Sequence, residues 1–211
     1  MKIALILLLA LSCQTSINYN FDYRLEYEIK NNFPNSIENV SYYINSRDNS
    51  YYADIRNDSN KRNQLYFKDQ DKLTGRVTLD GDYKKLSSLV IPKNFTHPYD
   101  NIYEKKAKKY VIENLNDTII NNKSCPRVIF KMNNAQQANK NKLSCHIFVI
   151  DTSTPIQPFI AHPTLFNIWN LHKNVPKGLI IEKQVYNNDG KLSYVEKLKK
   201  VTPINFHLLI K

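Results

Sequence analysis

The sequence predicts a mainly β protein: one curved antiparallel meander sheet, a half-barrel, with one or two short helices or loops on its concave face. Three observations predict it. Tyr19, Phe21, Tyr23, Leu25, Tyr27 and Ile29 alternate without interruption against Asn20, Asp22, Arg24, Glu26, Glu28 and Lys30, the period-two pattern of a strand with one apolar and one charged face. Shorter alternating runs follow, separated by turn-forming residues. Near the C-terminus, Val175 to Val201 reads as a β-hairpin: Gly178-Leu179-Ile180-Ile181 opens one strand, Asn187-Asn188-Asp189-Gly190 supplies residues that tolerate positive φ, and Leu192 begins the return.

The chain has 211 residues and is 42% hydrophobic, with 14 Tyr and 9 Phe. Burial of that much aromatic surface repays the entropy of ordering, so a folded domain is expected and a disordered chain is excluded. The net charge of +11 raises the question of nucleic acid. The densest basic run, Lys105-Lys106-Ala107-Lys108-Lys109, is flanked by Glu104 and Glu113, and Lys197, Lys199 and Lys200 are preceded by Glu196. Both read as solvated faces, and no nucleic-acid partner is expected.

Met1-Lys2 followed by the apolar run Ile3 to Leu11 is a positive n-region and an h-region too short to span a bilayer, the pattern of an export signal. Ala10-Leu11-Ser12-Cys13 resembles a bacterial lipobox with Ala10 where Leu is usual. Acylation of Cys13 would tether the protein to a membrane through its N-terminus, and ordinary signal-peptidase cleavage after Ser12 fits the same small residues. Residues 1–12 are expected as the signal peptide, 13–18 as a tether and 19–211 as a single β domain in the bacterial periplasm or at the outer membrane.

Beyond the first strand, the runs Val40-Tyr42-Ile44, Tyr51-Ala53-Ile55, Leu65-Phe67 and Val77-Leu79 predict four short strands. Leu86 to Asp100, with Pro92 and Pro98, reads as a loop crossing one face. Tyr103 to Tyr110 reads as a helical turn or the lead into a strand, and Tyr110 to Ile120 as a strand, a turn and the start of another strand. Cys125 opens a strand through Phe130, Asn133 to Asn141 is a loop, and Cys145 lies in a strand ending at Ile150. In an oxidising compartment, a Cys125–Cys145 disulfide closing about 20 residues would add about 3 kcal/mol. Cross-strand pairing of the two requires the hairpin to turn about Ala135, and the alternative is two buried free thiols. Thr154 to Pro163 is too rich in proline for regular structure. Thr164 to Leu171 reads as a short helix with Leu165, Ile168, Trp169 and Leu171 on one face, and Ile204 to Ile210 as a separate last strand.

The histidines and cysteines show none of the spacings of a metal site, and no cofactor fingerprint occurs. Asp69-Gln70-Asp71 and Asp80-Gly81-Asp82 read as turns rather than calcium loops.

Thr118-Ile119-Ile120-Asn121-Asn122-Lys123-Ser124-Cys125 and Val175-Pro176-Lys177-Gly178-Leu179-Ile180-Ile181-Glu182 resemble the two signature elements of GLPGLI-type exported envelope proteins. The resemblance covers roughly residues 117–201. It implies a fold similar to the lipoprotein carriers and receptors of the LolA/LolB type, and no catalytic residues. The expected function is a non-catalytic envelope protein that binds an apolar or acylated ligand, such as a lipid or lipoprotein acyl chain, or an envelope protein partner, in a concavity lined by Tyr23, Leu25, Tyr27, Phe148 and Trp169. The alternatives are a structural or interaction module and an unrecognised hydrolase.

Overall fold

Two long strands from opposite ends of the chain run side by side through the middle of a twelve-stranded sheet. The computed structural model describes residues 16–57, 62–70, 72–99, 104–133, 145–187 and 189–211. The strands are β1 (Ile17–Asn32), β2 (Asn35–Ile44), β3 (Tyr51–Asn57), β4 (Asn63–Asp69), β5 (Leu73–Leu79), β6 (Ser88–Ile91), β7 (Thr96–Pro98), β8 (Tyr110–Ile120), β9 (Lys123–Met132), β10 (Cys145–Asp151), β11 (Leu179–Tyr186) and β12 (Leu192–Ile210). Two α-helices, α1 (Glu104–Ala107) and α2 (Pro163–His172), and two single 3-10 turns, Tyr83–Lys85 and Lys93–Phe95, complete the described elements. The order across the sheet is β7-β5-β4-β3-β2-β1-β12-β11-β10-β9-β8. Neighbours are antiparallel, except that β6 lies parallel to the end of β12. The sheet does not close into a barrel.

β1 and β12 pair from Ile17 opposite Ile210 to Asn31 opposite Tyr194, with register shifts after Phe21 and after Glu26. Pro203, which has no N–H to donate, sits at the first shift, where β12 carries an extra residue. The C-terminal residues from Leu192 are therefore one continuous strand rather than a hairpin arm and a separate last strand. β1 begins at Ile17, so Ile17 and Asn18 belong to the sheet rather than to a tether. Residues 1–12 and Cys13 lie outside the described residues.

The alternation of β1 does not give one apolar face. Arg24 lies directly across from Tyr43, and Tyr43 and Phe21 both pack on Phe206. Phe21 and Arg24 thus share a face although they are three residues apart, and the alternation changes phase between them. Tyr19 and Phe21 enter one core with Ala53, Leu65, Phe67, Ile91 and Leu208. Leu25 and Tyr27 enter another, with Val40, Tyr42, Tyr52 and Phe159. Residues 40 to 44 are all buried, because β2 has a core on each side.

Four other expectations are corrected. Leu86 to Asp100 is not a simple loop: Ser88–Ile91 pairs with His207–Ile210 and Thr96–Pro98 with Leu73–Gly75. Tyr110 to Ile120 is one unbroken strand, turning at Asn121 and Asn122, both at positive φ (51° and 62°), as a two-residue hairpin requires. Leu171 of α2 is 50% exposed and off the buried face. β9 and β10 pair with His146 opposite Phe130, a register offset from the one that a turn about Ala135 would give, and residues 134–144 lie outside the described residues. Cys145 then falls opposite residue 131, six residues or about 20 Å from Cys125. Both thiols are free, and the expected disulfide is absent.

The strand after Gly178 depends on that glycine. Its φ is +153°, and a Cβ there would meet the Asp151 carbonyl oxygen at 2.5 Å. Gly178→Ala is expected to lower the unfolding free energy by about 3 kcal/mol through backbone strain and collision. Gly81→Ala, at φ +75° in open space, should cost about 1–2 kcal/mol. Urea titrations of the two variants measure the difference.

Candidate functional site

Thr154 to His162 crosses one face of the sheet without regular secondary structure and is held through its backbone groups. Gln157 N donates to Ser46 O at 2.9 Å, Asn49 Nδ2 to Pro158 O at 2.8 Å, Tyr52 Oη to Ala161 O at 3.0 Å and Gln70 Nε2 to Ile160 O at 3.2 Å. Phe159 packs between Tyr42 and Tyr52, with ring centroids 4.8 and 5.3 Å away. The segment leads into α2, where Pro163 stands in the first turn and Trp169 lies in a core with Phe130, Phe148 and Phe166.

The five residues expected to line a ligand cavity are thereby divided and packed. Leu25 and Tyr27 lie beneath the crossing segment with Tyr23 half-buried beside them; Phe148 and Trp169 lie beneath α2. Tyr27 Oη donates to Ile180 O at 2.7 Å. The hollow touching Tyr27 and Phe148 has a volume of about 20 Å³, room for about one water.

Around that hollow lies a group of charges that sequence reasoning missed. Lys183 of β11 and Glu196 of β12 stand directly opposite and form a buried ion pair at 3.4 Å. Burial alone would favour the neutral amine, but the Glu196 carboxylate and Tyr194 hold the Lys183 pKa above its ordinary value. The imidazoles of His146 and His162 are 5.5 Å apart. Burial, then the Lys183 charge and then His162 push His146 well below the usual histidine range. Desolvation and the charges of Lys183 and Lys68 lower His162 to about 4. Both imidazoles are neutral at neutral pH. In sequence these groups are scattered among 51 residues: the ladder β10-β11-β12 sets Lys183 in register with Phe148 and Glu196, His146 stands in another row of it, opposite Val185, and His162 comes from the crossing segment.

Beyond the crossing segment the same face of the sheet is uncovered. Tyr52, Asp54 and Arg56 of β3 stand opposite Lys68, Tyr66 and Gln64 of β4, which stand opposite Thr74, Arg76 and Thr78 of β5. Together with Asn94, Phe95 and His97 these residues line an open groove of about 970 Å³. Arg56 Nε donates to Asp54 Oδ1 at 2.6 Å. Arg76 Nε donates to Gln64 Oε1 at 3.1 Å, and the guanidinium lies over the Tyr66 ring at 5.1 Å. The Lys68 ammonium lies over Tyr99 at 5.0 Å. Among the described residues of the lining, Arg56, Arg62, Lys68 and Arg76 stand with one carboxylate, Asp54.

Cys125 lies at the edge of a second hollow of about 540 Å³, between β8–β9 and β11–β12. Burial and the Asp151 charge push its thiol pKa up, which keeps it protonated and weakly nucleophilic. Among the described residues, no three His, Cys, Asp or Glu side chains gather as a metal site, and no helix is long and apolar enough to cross a membrane.

No known family model matches the chain, the GLPGLI type included. No curated protein matches it either. Among solved structures, it is similar to a chain of the MucA/MucB complex of Pseudomonas aeruginosa, at 8% identity and a TM-score of 0.44, over 87% of this chain and 52% of that one. It is also similar to a Vibrio parahaemolyticus domain described as an outer membrane lipoprotein-sorting protein, at 8% identity and a TM-score of 0.31, over 88% and 85%. The chain spans about half the length of the MucB structures it matches. Likeness at this level assigns it neither ligand nor partner.

Two predictions follow from the buried charges. Glu196→Ala strands the Lys183 ammonium in a buried site and should cost about 3–5 kcal/mol, whereas Lys183→Met combined with Glu196→Leu should recover most of that loss in the same chemical-denaturation assay. His146 stays neutral in the folded state, while the unfolded chain binds its proton below its ordinary value of 6.5. His162, lowered to about 4, adds to the same effect. Stability should therefore fall as the pH drops below 6.5, by up to about 1.4 kcal/mol per pH unit from each imidazole. His146→Phe should remove about half of that slope between pH 6 and 5, as read from urea midpoints.

Proposed function

We propose that this chain is a non-catalytic, exported cell-envelope protein that holds a protein partner on the open part of its sheet face. The observation that carries the reading is the open groove over β3, β4 and β5, about 970 Å³ in volume and lined by Arg56, Arg62, Lys68 and Arg76. The positive n-region and short apolar run of Met1 to Leu11 support export. Acylation at Cys13 would leave only the residues before Ile17 between anchor and sheet, a reach of about 13 Å when extended. That would hold the Ile17–Ile210 end of the central strand pair near the membrane.

The buried aromatic residues favour a protein partner over an acyl ligand. Small-molecule sites occupy about 300–1,000 Å³, and the hollow at Tyr27 and Phe148 has about 20 Å³. An acyl chain would have to lift the crossing segment from its bonds to Ser46, Asn49, Tyr52 and Gln70. The same closure argues against hydrolysis: Lys183 is paired with Glu196 and, with burial, keeps His146 neutral, beneath a cover that leaves no room for a substrate.

A photoreactive p-benzoylphenylalanine placed at Phe95, on the rim of the groove, tests the reading against the same group at Phe33, which is 78% exposed between β1 and β2. In intact cells that carry the full chain, fractionation should place the protein in the envelope. Irradiation should yield a polypeptide adduct from position 95 and none from position 33. Adducts to lipid alone, equal adducts at both positions, or none at either would overturn the proposal.

A further inference from the structure

The crossing segment already shows what this sheet face accepts. Ile156 to Ala161 lies across it as a single chain segment, tied by main-chain oxygens and one main-chain N–H, and reaches Tyr52, where the groove begins. The groove continues the same face in three cross-strand rows: Arg56–Gln64–Thr78, Asp54–Tyr66–Arg76 and Tyr52–Lys68–Thr74. Each row carries one cation directed at the groove: Arg56, Arg76 and Lys68 in turn. Successive rows are two residues apart along the strands, about 6.6–6.8 Å. An extended peptide has the same repeat, so its side chains at i, i+2 and i+4 meet the three rows in step.

Charge sets the chemistry of those side chains. Asp54 is committed to Arg56 at 2.6 Å, and a guanidinium keeps further N–H donors for a second carboxylate. The ring faces of Tyr66 and Tyr99 are covered by Arg76 and Lys68. Beside the exposed ring of Phe95, the groove presents these cations. We infer that the occupant of the groove is an extended acidic polypeptide segment with Asp or Glu at alternate positions, a specification that rests on the protein-binding reading above.

The test is fluorescence anisotropy of the exported chain with a fluorescein-labelled octapeptide of alternating Glu and Ser, compared with a peptide of four Glu followed by four Ser. The alternating peptide should bind with micromolar affinity at low salt, weaken as NaCl is added, and exceed the clustered peptide at least fivefold. Lys68→Glu combined with Arg76→Glu should weaken binding at least tenfold with an unchanged melting temperature. Lys85→Glu, far from the groove and 85% exposed, should leave it unchanged. No saturable binding, equal affinity for the clustered peptide, insensitivity to the double substitution, or stronger competition by polyphosphate or phosphatidylglycerol vesicles than by unlabelled peptide would overturn the inference. If the cross-link at position 95 persists in any of those cases, the groove holds a protein of different chemistry; if it is lost as well, both readings fall.

Discussion

The antiparallel pairing of β1 with β12 is the constraint on which the other elements depend. It joins Ile17 to Ile210 and Asn31 to Tyr194, residues from opposite ends of the chain, and provides the two edges from which the sheet grows. β2 to β5 extend from β1, and β11, β10, β9 and β8 extend from β12. Neither half has a template without the other. The two register shifts along this pair also decide the shape of the cores. Past the shift at Pro203, Phe206, Leu208 and Ile210 face Tyr19 and Phe21 rather than Leu25 and Tyr27. One part of the molecule therefore has its core enclosed by β1, β3, β4, β5, β6 and the end of β12, while the rest has its core under the crossing segment and α2.

Strand positions were legible because alternation and turn chemistry are local properties. The runs at Val40, Tyr51, Leu65 and Val77 all mark observed strands, and Pro163 to His172 is helical as its apolar spacing predicts. What depends on register was not legible. The phase change between Phe21 and Arg24 leaves no trace in the alternation, because it comes from an extra residue in a partner strand some 180 positions away. The disulfide failed for the same reason. Its condition was a turn about Ala135, and a register centred three residues later separates the cysteines by twice that distance along the strands. The unbroken β8 was missed because Asn114, Asn116 and Asp117 read as turn formers, whereas a register shift within the strand absorbs them.

The working surface was hidden by a different ambiguity. Aromatic residues on a strand suit a ligand cavity and a core equally well, and only the placement of the proline-rich segment decides between them; here it fills the space above Tyr27, Tyr42 and Tyr52. Arg56, Lys68 and Arg76 carry no signal in the sequence, where they fall on three separate strands. Their significance comes from adjacency: one face of the sheet is covered as far as Tyr52 and bare beyond it, and the three cations occupy successive rows of the bare part. The contrast between the two faces of β3 sharpens this. Ala53 and Ile55 are buried in the core behind, so the strand cannot rotate the cations away without exposing that core.

The buried pair Lys183–Glu196 contributes something more specific than net stability, which desolvation of two charges largely offsets. In the next row, on the other face of the sheet, Glu182 stands opposite Lys197, with Lys197 Nζ 3.2 Å from Glu182 Oε2. A slip of β11 by one residue in one direction would set Lys183 against Lys197; a slip in the other would set Glu182 against Glu196. Either way a pair of opposite charges becomes a pair of like charges, one of them in a site with almost no water. Hydrophobic pairs such as Val185 and Tyr194 tolerate several partners, but these four residues accept one alignment. The register of β11 on β12 fixes where Gly178 meets Asp151 and where the crossing segment returns to the sheet. The charge pairs therefore help decide how far along the face that segment reaches, and so where the open groove begins.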